Sequence, residues 1–154
     1  MTSNAPTSDA LTRFEDEHHH ALGELERLEQ AADALEDGED PIEHLETMGQ
    51  VHTFLSTAVR EHNENEERAL FPLLGDEAPT GVFEEEHVRL RGLERELREA
   101  LDGPHPAERA PSIALALVDL LRGHIDRENH VLFPLARGLL GPEGLARVER
   151  VLST

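Results

Sequence analysis

The 154-residue chain contains no cysteine. Disulfides, thiol catalysis, iron–sulfur clusters and cysteine-ligated zinc are thereby excluded. Tryptophan and tyrosine are absent and there are only 5 Phe, so surfaces that stack bases or sugars are not expected. Lysine is absent too: all 14 basic residues are Arg, against 33 Asp and Glu, for a formal net charge of -19. Such a charge repels phosphate backbones and anionic lipid, so neither nucleic acid nor a membrane surface is an expected partner. No apolar run approaches the ~20 residues of a membrane span. Met1 to Asp9 has neither a basic nor an apolar segment of the secretory kind, and the expected compartment is the cytoplasm. What is present is a 38% hydrophobic fraction, enough for one domain with a core, and 10 His in an acidic background.

Apolar residues recur at alternating steps of three and four, which predicts packed helices. The first stripe is Leu11, Phe14, His18, Ala21, Leu25, Leu28, Ala32 and Leu35. Gly38-Glu39-Asp40-Pro41 stops and restarts the chain, with Asp40 as a cap and Pro41 as first helical residue. The second stripe is Leu45, Met48, His52, Leu55, Val59, His62, Glu66, Ala69 and Leu73, ending near Phe71-Pro72 and Gly75. The third holds Phe83, His87, Leu90, Leu93, Leu97 and Leu101, before a loop at Gly103-Pro104-His105-Pro106. A fourth is expected to open at Pro111-Ser112, with Ala114, Leu117, Leu121, His124, Glu128, Val131 and Leu135 inward. Glu143 to Leu152 is expected to form a short helix of its own. The predicted architecture is all-α: an antiparallel up-down four-helix bundle over 9–154 with a short C-terminal fifth helix, preceded by a loose tail at 1–8.

Helices two and four carry a repeat. His62-Asn63-Glu64-Asn65-Glu66 is followed by Leu70-Phe71-Pro72, and His124-Ile125-Asp126-Arg127-Glu128 by Leu132-Phe133-Pro134. A His and a Glu four residues apart lie on one helical face, where imidazole and carboxylate can bind the same metal cluster. Helices one and three share Glu17-His18 and Glu86-His87, with each His on the apolar stripe. His18-His19-His20 offers three candidates, and only His18 continues the stripe. Six ionisable residues therefore stand where a bundle expects Leu: His18, His62, Glu66, His87, His124 and Glu128. A Glu is almost never fully buried unless paired.

Heights agree as well as faces. His18 lies about 19 residues before the first break and His62 about 21 after it, a difference of a few Å at 1.5 Å per residue. Four imidazoles and two carboxylates exceed one tetrahedral zinc. They suit two iron ions, with manganese or mixed metal as substitutes, and Glu66 and Glu128 as natural bridges. Glu17 and Glu67 stand as candidates either to orient imidazoles or to form a solvated face, and Glu84-Glu85-Glu86 reads as mostly solvated. His52 is expected in the core or behind the site. His44, His105 and His130 are expected in solvent or loops.

On Glu17-His18, the two His-x-x-x-Glu copies with their trailing Leu-Phe-Pro, and Glu86-His87, the chain resembles the hemerythrin-like, or HHE cation-binding, domains, from about Leu11 to Leu135. The resemblance implies a four-helix bundle around a non-haem di-iron centre held by the same six residues. Oxygen-carrying members have a second His one turn after the first on the third helix, where this chain has Arg91. They also tend to supply Asp five residues after the last His, where this chain has Glu128 four after. Members with fewer His are linked to iron or oxygen sensing, nitric oxide or peroxide chemistry, or metal handling. The expected function is thus iron binding with a small ligand such as O2, NO or peroxide. A di-iron peroxidase or NO-consuming enzyme, a ferritin-like metal-handling bundle built on Glu15/His18 and Glu84/His87, and an apo helical interaction module are the alternatives. Oligomeric state is left open.

Overall fold

The structure, a computed structural model, describes residues 9–154; the tail expected at 1–8 lies outside the described residues. Among the described residues there is no strand. Helix α1, Ala10–Glu36, starts where the Asp9 carboxylate accepts the Thr12 N–H at 2.8 Å, and ends before Gly38, whose φ of 81° reverses the chain. Helix α2, Pro41–Phe54, is capped by Asp40, with Pro at the first position, where its missing N–H costs nothing. It continues through a π-helical turn, Leu55–Val59, into α3, Arg60–Asn65, a second π turn, Glu66–Leu70, and α4, Phe71–Leu74. Helix α5 is Thr80–Asp102, and α6 is Pro106–Arg127. A third π turn, Glu128–Leu132, joins α6 to α7, Phe133–Leu152. The described residues thus make four long helical stretches, 10–36, 41–74, 80–102 and 106–152, the second followed by a short 3-10 turn at Gly75–Glu77 and the last broken at Gly141.

Two π turns begin at the repeated glutamates and end two residues before the repeated prolines. Pro72 and Pro134 have no N–H for the carbonyl four residues back, and their rings clash with it in a regular helix. The wider π turn over 66–70 and 128–132 relieves that clash at the same place in both copies. It also inserts a residue into the period. The inward face expected at Val131 and Leu135 therefore rotates: those two are 54% and 37% exposed, while Leu132, Phe133 and Ala136 are sealed. The stripe of α1 has no such insertion, and all eight of its expected residues are buried.

One expected boundary differs. The fourth stretch opens at Pro106, not at Pro111-Ser112, with Pro111 inside it. His105, at φ 56°, turns the chain, and its carbonyl accepts the Glu108 and Arg109 N–H groups, so helical bonding starts before Pro111 removes one donor. Within 133–152 the backbone leaves helical geometry at Gly141 (φ 62°, ψ -175°), just before the segment expected as a short helix at Glu143 to Leu152.

The apolar interior is in two parts. One contains Leu25, Leu28, Val51, Leu97, Leu117 and Leu121. The other contains Leu11, Phe14, Leu70, Phe71, Phe83, Leu132 and Phe133. Each such side chain contributes roughly 1.5–3 kcal/mol by leaving water. That scale lets the fold tolerate the polar residues buried with them: His18, His62, Glu66, His87, His124 and Glu128 are all 6% exposed or less.

Candidate metal centre

The six residues converge. His18 comes from α1, His62 from α3, His87 from α5 and His124 from α6, while Glu66 and Glu128 open the second and third π turns. Nε2 of His18 lies 2.9 Å from Glu128 Oε1, and Nε2 of His62 lies 3.4 Å from Glu66 Oε2. Nε2 of His87 lies 3.2 Å from Glu66 Oε1, and Nε2 of His124 lies 3.3 Å from Glu128 Oε2. Each carboxylate therefore turns one oxygen toward each pair of imidazoles. Two groups result, His18/His62/Glu66/Glu128 and Glu66/His87/His124/Glu128, each with ligand atoms within 4.8 Å of one another and both sharing the two glutamates.

The outer nitrogens decide the protonation. Nδ1 of His62 donates to Glu17 at 2.8 Å, Nδ1 of His87 to Glu67 at 2.5 Å and Nδ1 of His124 to Glu86 at 2.9 Å. Nδ1 of His18 donates to the Asn129 carbonyl oxygen at 2.7 Å. An ionised carboxylate only accepts, so these rings carry their proton on Nδ1 and, when neutral, aim an Nε2 lone pair inward. Nε2 of His18 and of His62 face each other at 3.0 Å. None of the four oxygens of Glu66 and Glu128, nor Nε2 of His87 and His124, has a hydrogen-bond partner. Lone pairs facing lone pairs and anionic oxygens in a dry interior repel, and only protons or a multivalent cation reverse the sign.

With no cation, protons take that role. Burial disfavours charge on His62, but the carboxylates around it, Glu66, Glu128 and Glu17, outweigh it and raise the pKa well above the usual 6.5. His124 is likewise penalised by burial, yet Glu128 and Glu66 push it up to about 9. Burial would raise Glu128, but His124, His18 and His62 hold it well below the usual carboxylate value.

Four of the five phenylalanines wall the site, one per imidazole. Phe133 stacks on His18 (centroids 5.4 Å, planes 8° apart) and Phe71 on His87 (5.8 Å, 16°). Phe14 meets His62 edge-on at 5.1 Å, and Phe83 meets His124 at 5.6 Å. These rings fix imidazole orientation and cover the ring faces and edges they touch. Sequence reasoning passed over this wall, although Phe14 and Phe83 stand four residues before His18 and His87, and Phe71 and Phe133 share one place in the repeat.

The supporting residues correct one expectation and extend another. Glu86 is not solvated: it is 7% exposed, holds His124 and pairs with Arg127. Asn129, missed in the sequence, supports His18 just as Glu67, its counterpart after the first repeat glutamate, supports His87. The pattern is regular. The residue before each single His supports the repeat His of another helix, and the residue after each repeat Glu supports a single His.

Other histidines stand apart. His52 is half-buried, 3.4 Å from Glu94. His44 pairs with Glu39, and His130 is exposed beside Asp126. Arg91 is half-buried in a narrow crevice with Asn63, Glu94 and Leu90, and forms no ion pair among the described residues. The Glu15 of the ferritin-like alternative is not aimed inward: it pairs with Arg137 at 2.8 Å.

A family model described as the hemerythrin HHE cation binding domain matches residues 9–136. No curated protein matches the chain.

Proposed function

The chain belongs to the hemerythrin HHE cation binding domain family, and from that premise we propose that His18, His62, Glu66, His87, His124 and Glu128 hold two iron ions, Glu66 and Glu128 bridging, for the binding of a small ligand such as O2, NO or peroxide. The observation that carries this reading is the convergence of buried, unpartnered acceptor atoms in two groups that share both carboxylates. The donor set fits: borderline nitrogens and hard oxygens suit iron, with manganese as the nearest substitute. Iron held there supplies a redox-active Lewis acid for the ligand.

The chain's own residues do the rest. Glu17, Glu67 and Glu86 keep a proton on Nδ1, so that Nε2 is the free donor, and make each imidazole more basic. The four phenylalanines hold the rings in place. The antiparallel up-down path belongs to the same reading, supported by the packing of α1 against α2 and α6 and of α5 against α6. No helix among the described residues is long and apolar enough to cross a membrane.

Elemental analysis of protein expressed with iron tests the proposal. The expected content is about two irons per chain, lost on His62→Ala or His124→Ala and retained on His44→Ala. Protein without stoichiometric metal, or His62→Ala protein with full metal, overturns it.

A further inference from the structure

A cavity of about 250 Å³ opens between α1, the first π turn and α6, and reaches the imidazoles. Its apolar lining is Ala21, Phe54, Ala58, Val59, Leu121 and Ile125, and its inner wall holds His18, His62 and His124. At the rim His20 stacks on Phe54, centroids 4.9 Å apart. A diatomic ligand needs about the space of one water, some 30 Å³, and an apolar cavity of about 150 Å³ already holds benzene. This chamber is far larger than O2 or NO requires.

One side chain in the wall has unspent polarity. Asn63 follows His62, is 4% exposed and lines the chamber. Among the described residues no protein group bonds its amide. The neighbouring Asn65, by contrast, accepts from Arg68. The residue matching Asn63 in the second repeat, Ile125, lines the same chamber and is apolar. Neither amide atom is sealed from water, so the group stays free to bond a guest that displaces that water.

We propose that this chamber binds a small apolar organic molecule with one hydrogen-bonding head, the head at Asn63 beside His62 and the body against Phe54, Ala58, Leu121 and Ile125. The proposal rests on the metal reading only in placing that guest next to the ions; the chamber and the amide stand without them. Specificity follows from the pair of features. The apolar wall rewards a hydrocarbon body, and Asn63 selects among such bodies for those with an oxygen at one end.

Ligand-observed fluorine NMR with 4-fluorobenzyl alcohol and 4-fluorotoluene tests this on the metal-loaded protein and on chelator-treated protein. The alcohol is expected to bind about fivefold more tightly than the toluene, the worth of one hydrogen bond. Asn63→Leu should erase that preference while the toluene still binds. Ala58→Phe, a change at an exposed rim position that leaves the core alone, should weaken both ligands and leave metal content unchanged. In loaded protein the bound fluorine line should be paramagnetically broadened, and chelation should remove the broadening but not the binding. Binding without broadening in untreated protein that was expressed with iron and holds no metal supports the chamber and overturns the di-iron reading. Equal affinity for the two ligands, an Asn63→Leu protein that keeps the preference, or binding unaffected by Ala58→Phe overturns the chamber, whatever the metal content.

Discussion

Residue 67 is a glutamate, and residue 129, its counterpart in the second copy of the repeat, is an asparagine. The two copies, 62–72 and 124–134, otherwise build the same structure: a His and a Glu one turn apart, a π turn starting at the Glu, a Phe stacked on a histidine from another helix, and a Pro. Glu67 presents a negative charge to His87, whereas Asn129 presents a neutral carbonyl to His18. His18 and His62 both line the chamber, whereas of the other half only His124 does and His87 does not. Duplication thus explains why the site has two similar halves. The unmatched residues explain why the halves are not equivalent: the half with the neutral support sets both its imidazoles in the chamber wall, the other half only one.

The largest effect that tests this duality is loss of a shared carboxylate. Glu66→Ala and Glu128→Ala each remove an oxygen from both halves, so each should abolish binding of both ions, read as metal per chain after gel filtration. His62→Ala and His87→Ala each belong to one half. If either of these leaves about one ion per chain, the halves are separable; if both empty the site, occupancy is all-or-none.

Metal removal comes next. An ion held at about a thousandfold above its Kd adds roughly 4 kcal/mol, or about 10 °C of melting temperature for a domain of this size. The chelated protein should melt lower by that order, and coincident melting of chelated and loaded samples contradicts buried occupancy.

The gap should also depend on pH. In the chelated protein His62 and His124 have pKa values raised above 6.5, His124 to about 9. Their protonated forms stabilise the fold fully below about 6.5, and that stability drains away as pH rises through 9. Glu128, held below its usual 4.5, stabilises above that value and is lost in acid. The chelated protein should therefore be most stable between about pH 4.5 and 6.5. A cation replaces those protons in the loaded protein, so its melting temperature should stay level from pH 6.5 to 9 while the chelated curve falls by the equivalent of a few kcal/mol. Parallel curves contradict the assignment of protons to the inner nitrogens.

How much of this was legible follows from periodicity. His18, His62, Glu66, His87, His124 and Glu128 stand out because each interrupts an apolar stripe, and a stripe is a property of one helix. The supports do not interrupt anything: Glu86 sits in an acidic run and Asn129 off the apolar stripe within the third π turn, and each acts across to a different helix. Val131 and Leu135 were misplaced because a 3.6-residue period holds only while the helix is regular, and the π turn at 128–132 adds a residue just before them. Pro134 is the visible cause of that turn, but read alone it signals a helix end and not a wider turn. Pro111 shows the same limit from the other side, since a proline one turn and a half into α6 did not start it.

The smallest predicted effect bears most directly on the asymmetry between the halves. Glu67→Gln converts the support of His87 into the neutral kind that His18 has, and Asn129→Asp does the reverse for His18. Changes behind metal-bound imidazoles alter affinity by about 10- to 100-fold. Glu67→Gln should weaken retention in a chelator competition by about tenfold, near 1.4 kcal/mol. Asn129→Asp should strengthen it, because a carboxylate makes the His18 ring a better donor. The Asp side chain is the same length as Asn, so packing against His18 is preserved and the change is one of charge. If the two substitutions shift affinity in the same direction, charge behind the imidazoles is not what distinguishes the halves, and the difference must come from the chamber, which His18 and His62 line together and His124 lines alone from the other half.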